Sequence, residues 1–222
     1  MNMTIHNHKS GRAARAFTMV ELLTVMAIIG VIASMVVSGL ASAGYKKEEA
    51  AVKTHHAKLV SALEDYKKAF GFYPPDFASS ASNWPYWNPL AYELGGVRRS
   101  GANFTSEMDP THTIRTSGPN EIGSYFGLDG FVNVTPAGGK ARSFITGGGS
   151  GQNAAFVFLT NNAPGITAAA MLLQVPAQHP TGGANVWRYR AYPVGGHNPK
   201  TYDLWCEYRK RGGGTNIHGN WK

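Results

Sequence analysis

Residues 16–30 read AFTMVELLTVMAIIG, and this stretch decides the fold. It opens an apolar segment, Leu22 to Ala43, that contains no charged residue over 22 positions. At 1.5 Å per residue, a helix of that length reaches about 33 Å, which matches a bilayer core of about 30 Å. Glu21 lies at the mouth of the segment. The sequence therefore predicts a membrane-spanning helix with a carboxylate at its start.

Residues 1–16 form a short polar leader that contains three basic residues, Lys9, Arg12 and Arg15. Basic residues before an apolar segment favour a cytoplasmic location for that end, although Lys46 and Lys47 on the far side weaken the bias. Without the leader, 18 basic residues face 13 acidic ones, so the net charge falls from +8 to +5. That excess is scattered, apart from Arg209-Lys210-Arg211, and we expect no nucleic-acid binding.

Three interpretations of the N-terminus compete. A conventional secretory signal would be cleaved after the A-x-A triplet Ala41-Ser42-Ala43, but the apolar run exceeds the usual 7–15 residues. A plain transmembrane anchor would leave Glu21 unexplained. The third interpretation is a prepilin signal, in which the leader is removed before the apolar helix.

The stretch from Ala16 to Gly30 resembles the N-terminal cleavage and methylation motif of type IV pilins and type II secretion pseudopilins. The resemblance implies that a dedicated prepilin peptidase cuts between Ala16 and Phe17 and methylates the new amino group of Phe17. The family usually has Gly before the cut, so Ala16 is a departure that we expect to slow cleavage. The motif favours the prepilin interpretation over the other two.

Glu21 also has a physical reason to take part in assembly. An ionised carboxylate near a membrane core costs a few kcal/mol and normally implies a partner. A favourable interaction with the N-terminus of its own helix contributes only about 0.3–1 kcal/mol. Filament assembly in the resembled family implies a stronger partner, the free amine of Phe17 on a neighbouring subunit. We therefore assign Glu21 as the assembly residue.

The helix is predicted to continue to Phe70. No Gly or Pro occurs from Tyr45 to Phe70, and apolar residues recur at three- and four-residue spacing: Val52, Leu59, Leu63, Tyr66 and Phe70. Glu49 with Lys53 and Glu64 with Lys68 are candidate i,i+4 ion pairs. Gly71 and Pro74-Pro75 end the helix. His55 and His56 point about 100° apart on a helix, so we expect them to pack or face solvent and not to chelate one metal ion.

The C-terminal region carries a second resemblance. Val186–Tyr192 and Thr201–Tyr208 are predicted to be two strands joined by a loop, followed by a Gly-rich tail that ends near Asn220-Trp221. With residues 66–74, this region is similar to the major pseudopilin of type II secretion systems, although His218 interrupts the ending. The resemblance covers residues 16–73 and 186–222.

The resemblance also implies a calcium site in the C-terminal loop, built from carboxylates. Calcium requires oxygen ligands, and no Asp or Glu follows Glu207 in this chain. Arg209, Lys210 and Arg211 would repel a cation. We therefore expect no metal site and no cofactor, with Asp203 as the ligand to test if calcium does bind.

The stretch between the two resemblances, residues 74–184, is less informative. Phe156–Leu159 and Met171–Val175 are predicted to be buried strands. Trp84–Pro89 is interpreted as a folded cap. Gly147–Gly151 lacks the Lys-Ser/Thr of a phosphate loop and is interpreted as a flexible turn. No catalytic arrangement stands out, and we expect the protein not to be an enzyme.

Together these features predict an α+β fold in which a long N-terminal helix packs on a small antiparallel sheet. We divide the chain into a leader (1–16), a transmembrane and assembly half-helix (17–44), an amphipathic half-helix (45–70) and a globular head (71–222) with a β-hairpin at 186–208. The predicted function is a structural subunit of a type II secretion pseudopilus. Its expected partners are further copies, other pseudopilins, prepilin peptidase, the inner-membrane assembly platform and the inner membrane itself. The head would lie in the periplasm of a bacterium, with the N-terminus cytoplasmic.

Two alternatives stay open. A type IV pilus pilin for adhesion, motility or DNA uptake shares the N-terminal motif, but many such pilins have a C-terminal disulfide, which the lone Cys206 cannot form. A secreted binding module cleaved after Ala43 is the alternative from another class.

Overall fold

A computed structural model describes residues 17–76, 87–115, 122–145, 156–160, 169–210 and 212–221. The helices in these ranges are α1 (Met19–Phe70), α2 (Leu90–Gly95) and α3 (Ile122–Phe126). The strands are β1 (Val97–Ser100), β2 (Asn103–Ser106), β3 (Thr113–Arg115), β4 (Val134–Pro136), β5 (Phe156–Thr160), β6 (Ala169–Leu173), β7 (Arg188–Ala191), β8 (Tyr202–Arg209) and β9 (Thr215–Gly219). The α+β class is confirmed.

The chain divides into two compact units, Met1–Gly44 and Tyr45–Lys222. We call the second one the head unit. Within it, the C-terminal part of α1 carries the predicted apolar stripe, and Val52, Leu59, Leu63 and Tyr66 are all buried in the core. Phe70 packs against that core and is only partly buried. The stripe therefore makes α1 a core element of the head unit.

The predicted end of α1 at Phe70 is confirmed. Gly71 takes a φ of +87°, a conformation that favours glycine, and its N–H donates to the carbonyl of Lys67 at 2.7 Å. One predicted ion pair is present, since Lys53 Nζ lies 2.7 Å from Glu49 Oε1. The other is wrong. Lys68 pairs with Asp65 at 3.0 Å.

Tyr73 explains why the Glu64–Lys68 pair does not form. After the helix ends, Tyr73 lies against α1, and its hydroxyl donates to Glu64 Oε1 at 3.0 Å. The Glu64 carboxylate, which helical spacing predicted to pair with Lys68, therefore binds Tyr73 instead.

The strands form three sheets, more than the single small sheet that was predicted. Their orders are β3-β2-β1-β4, β5-β6 and β7-β8-β9. All neighbours are antiparallel except β1 and β4, which pair in parallel. Parallel strands need a long crossover, here supplied by the chain between them, which includes β2, β3 and α3. This sheet is built from the stretch that the sequence analysis could not assign.

The strands predicted near residues 156–175 are present as the antiparallel pair β5–β6. Burial is as predicted for β6, whose residues from Ala170 to Leu173 are inaccessible. For β5 it is only half right, because Phe156 is buried while Phe158 is 39% exposed. The segment interpreted as a folded cap, Trp84–Pro89, lies outside the described residues at 84–86. The segment interpreted as a flexible turn, Gly147–Gly151, lies outside them completely.

The predicted C-terminal hairpin is present as β7–β8, with Arg188 opposite Trp205 and Ala191 opposite Tyr202. The Gly-rich tail, however, contains a third strand. Gly212, Gly213 and Gly214 all take positive φ and form the turn that returns the chain as β9 along β8. The residues of β9 are all exposed or half-buried, so apolar and polar side chains do not alternate clearly along it. The sequence pattern therefore did not predict this strand.

A buried carboxylate joins three parts of the head unit. Glu93 in α2 is 0% exposed. Its Oε1 accepts the N–H of Val132 at 2.9 Å, and its Oε2 accepts the N–H of Asn133 at 3.0 Å and the hydroxyl of Tyr66 at 2.9 Å. Burial raises the pKa of Glu93, and the backbone N–H groups of Val132 and Asn133 oppose that rise. These bonds connect α1 and α2 to the segment that enters β4.

We predict that Glu93→Gln destabilises the head unit by ~2–3 kcal/mol. Both carboxylate oxygens accept backbone N–H groups, so an amide NH₂ in either position would face a donor and leave it unsatisfied. Asp65→Asn on the exposed side of α1 is the matched control and should change stability by less than about 0.5 kcal/mol. Denaturant unfolding of the full chain in detergent measures both. Equal midpoints for the two variants would contradict the proposed role of Glu93.

Candidate functional site

The first turn of α1 is closed by a reciprocal pair of hydrogen bonds between Thr18 and Glu21. The backbone N–H and the hydroxyl of Thr18 both donate to Glu21 Oε2 at 2.9 Å. The N–H of Glu21 lies 3.2 Å from Thr18 Oγ1 and donates to it. This arrangement is a capping box, which satisfies N–H groups that a helix start leaves unpaired. Glu21 therefore has a partner inside its own chain.

The sequence analysis missed this specific partner. It treated the effect of Glu21 on its own helix as a general interaction with the helix N-terminus. The pattern Thr18-x-x-Glu21 immediately before an apolar run is the known signature of a capping box and would have identified the contact. The capping box uses Oε2, and within the described residues Oε1 accepts no hydrogen bond.

The helical segment that follows presents an apolar surface on every side. Met19–Val37 has a mean hydropathy of 2.5, and none of it is buried. The polar side chains of Thr24 and Ser34 are satisfied within the helix, since their hydroxyls donate to the carbonyls of Val20 and Val31. By length and composition, the segment can cross a membrane.

The structure places Phe17, one of the two predicted processing residues, directly before this segment. Phe17 is 79% exposed and directly precedes the capping residue Thr18. Ala16, on the other side of the predicted cleavage point, lies outside the described residues. Phe17 and Glu21 are one helical turn apart, so a free amine at Phe17 would lie near the carboxylate end of the capping box.

A second polar cluster lies in the head unit, where α1 meets the C-terminal sheet. Trp187, fully buried, donates its indole N–H to His55 Nδ1 at 3.1 Å and stacks against His56 at 5.5 Å between ring centroids. His56 in turn packs edge-on against His218 of β9 at 4.7 Å. Burial lowers the pKa of all three histidines, and that of His55 to about 4, so they are neutral at pH 7.

This cluster gives His218 a structural role. The residue that interrupts the family-like ending attaches β9 to α1 through His56. Sequence reasoning expected His55 and His56 to pack or face solvent and could not find their partners, which lie more than 130 positions away. Within the described part of the chain, no group of three or more His, Cys, Asp or Glu side chains is arranged to hold a metal ion.

Asp203, the candidate calcium ligand, is buried and already saturated. Its Oδ2 accepts the N–H of His197 at 2.9 Å, and its Oδ1 accepts the backbone N–H and the side-chain amide of Asn198 at 2.9 and 3.0 Å. The His197 ring stacks on Trp221 at 4.0 Å. Amide donors from the β7–β8 loop thus occupy the carboxylate in the way a cation would.

We predict that millimolar calcium does not raise the melting temperature of the protein, because Asp203 has no oxygen free of a donor. A ligand at a hundred times its dissociation constant would add about 2.7 kcal/mol if it bound only the folded state. Asp203→Asn should lower the melting temperature equally with and without calcium. Thermal unfolding with calcium, magnesium and chelator measures this. A rise with calcium alone that the variant loses would contradict it.

The comparison with protein families is consistent with the geometry of the first turn. The prokaryotic N-terminal methylation motif matches residues 11–37, which include Phe17, the capping box and the apolar segment. No curated protein and no solved structure matches the chain. The matched motif and the apolar N-terminal helix together show that the chain carries the N-terminal signature of a type IV pilin-like prepilin.

Proposed function

We propose that the protein is a structural subunit of a type II secretion pseudopilus. The observation that supports this most is the methylation motif at residues 11–37, placed on a helix whose first 19 residues expose only apolar surface around one carboxylate. A soluble protein gains nothing from such a surface, whereas a subunit held first in a bilayer and then in a helix bundle needs it.

Assembly would proceed in three steps. Prepilin peptidase removes residues 1–16 and methylates the amine of Phe17. The inner-membrane assembly platform, driven by a cytoplasmic ATPase, then extracts the subunit. The apolar half-helices bundle with those of further copies and other pseudopilins. Glu21 pairs with the Phe17 amine of a neighbour while the head unit lies in the periplasm. In this scheme the subunit itself catalyses nothing.

The buried thiol of Cys206 supports a pseudopilus over a type IV pilus. Cys206 is 0% exposed in β8, and burial raises the pKa of its thiol to about 12. The C-terminal region is instead held by Asn220, which accepts the N–H of Leu204 at 2.9 Å and donates to the carbonyl of Tyr202 at 2.8 Å. Hydrogen bonds therefore take the place of the disulfide found in many pilus pilins.

We predict that the mature chain begins with N-methylated Phe17. The leader precedes the capping box, so cleavage there leaves the whole apolar helix on the mature protein. Mass spectrometry of the purified mature N-terminus measures the start and the added methyl group. A mature chain that begins at Gly44 would overturn the filament proposal, because the assembly helix would be lost.

We predict that Glu21→Gln abolishes filament assembly while membrane insertion and cleavage continue. Gln can serve in a capping box, so this change keeps the cap and removes only the charge. The amine of a neighbouring Phe17 would then be unpaired in an apolar bundle, and breaking one side of a buried pair costs about 3–5 kcal/mol. Shearing of cells that contain only the variant, followed by immunoblotting, measures filament yield.

Thr18→Ala is the matched control for this variant. It removes the capping side chain and keeps the charge of Glu21, at a cost of ~1 kcal/mol to the helix start. Filaments should therefore form with Thr18→Ala and fail with Glu21→Gln. The reverse pattern would show that Glu21 acts through the cap.

A further inference from the structure

Four exposed basic residues of the head unit belong to two segments far apart in sequence. Lys46 and Lys47 lie at the start of the part of α1 that belongs to this unit, directly after Tyr45. Arg209 is the last residue of β8, and Lys210 follows it at the turn into β9. Arg211 continues the basic run but lies outside the described residues. We call Lys46, Lys47, Arg209 and Lys210 the basic tip.

The register of β8 along α1 brings these segments to the same end. The backbone of Leu204 in β8 lies beside His56 of α1. Four residues further along β8, Tyr208 lies close enough to Glu49 and Lys53 for both charges to affect its pKa. Strand β8 therefore runs antiparallel to α1, and its four residues, about 13 Å, match the roughly 10 Å of helix from His56 to Glu49. If the chain keeps this direction for two more residues, Lys210 lies beside residues 45–47 of α1.

The turn itself presents backbone and charge to solvent. The N–H of Lys210 donates to the carbonyl of Gly214 at 3.0 Å, and the N–H of Gly213 donates to the carbonyl of Lys210 at 3.1 Å. Gly212, Gly213 and Gly214 are exposed and carry no side chain. A flat surface can therefore approach the turn closely, with Arg209 and Lys210 as its charged neighbours.

Nearby carboxylates are already occupied. Glu49 pairs with Lys53 at 2.7 Å, and Glu207 pairs with Arg188 at 2.8 Å. Within the described residues, no carboxylate lies within ion-pair distance of any member of the basic tip. The tip therefore keeps four positive charges, with only the half-buried Glu48 adjacent in sequence.

Lys46 and Lys47 of the tip follow the predicted membrane span closely in sequence. Seven residues lie between Val37, the end of the span, and Tyr45, so eight Cα–Cα steps join the two. Even fully extended, they reach no more than about 29 Å. Clustered Lys and Arg side chains close to a span are attracted to anionic lipid headgroups by about 1 kcal/mol each.

We propose that the basic tip binds the anionic phospholipid headgroups of the bilayer that holds the subunit, before the subunit enters a filament. The proposal rests on the membrane-anchored topology proposed above. Headgroup phosphates match the tip in charge, because its four cations come from two segments of the head unit, one of which follows the span closely in sequence. Binding would hold the head unit against the membrane surface until extraction.

Trypsin cleavage of the full chain reconstituted in vesicles tests this. The chain is placed in phosphatidylcholine alone or with about 30% phosphatidylglycerol, and cleavage after Arg209 or Lys210 is followed by mass spectrometry. Cleavage after the exposed Lys140 and Lys200 in the same molecules is the internal control for protease activity at each surface. We expect slower cleavage at the tip only in anionic vesicles, reversed by 1 M salt, which shortens the screening length to about 3 Å.

The variant Lys46→Gln/Lys47→Gln keeps the tip cleavage sites and removes two of the four charges. It should weaken the protected state about 25-fold, fivefold per side chain at about 1 kcal/mol each. Lys68→Gln/Lys200→Gln, which removes the same charge elsewhere and keeps the control cleavage site after Lys140, should leave tip protection unchanged. Equal tip cleavage in both lipid mixtures, or protection in neutral vesicles, would overturn the proposal. Neither result bears on filament assembly, which is measured by the mature N-terminus and by filament yield.

Discussion

The rest of the structure depends on one constraint: within the described residues, no part of the apolar helix Met19–Val37 is buried. Its side chains are exposed all round, and even its hydroxyls are turned back to helix carbonyls. Such a surface needs lipid or other apolar helices around it, because water cannot solvate it at acceptable cost.

Glu21 is the exception on that surface, and the capping box shows how it is tolerated. Thr18 supplies two donors to one oxygen, which lowers the cost of placing a carboxylate at the helix start. The other oxygen has no bond among the described residues. One side chain can thus cap its own helix through one oxygen and still accept a further donor with the other.

The head unit solves a different problem, which is how to fix a long helix to sheets formed by distant segments. It does so with buried polar contacts as well as apolar packing. Tyr66 reaches Glu93, His55 accepts from Trp187, and His56 meets His218. Because a buried polar group is costly when unpaired, these contacts favour one position of α1 among many that apolar packing alone would allow. The same positioning brings the β8–β9 turn level with Lys46 and Lys47.

The sequence by itself determined what depends on local order: the apolar span, the stripe from Val52 to Tyr66, the helix end at Gly71 and the strand pair that became β7–β8. Periodicity, charge and turn residues are local properties and can be read directly. Tertiary structure alone decided the four-stranded sheet with its parallel pair, the burial of Glu93, the diversion of Glu64 to Tyr73 and the contact of His218 with α1. Each of these joins residues that come into contact only when the chain folds, and no local sequence pattern identifies the partner. The basic tip belongs to both levels, since the charges are visible in the sequence and their convergence depends on the register of β8 along α1.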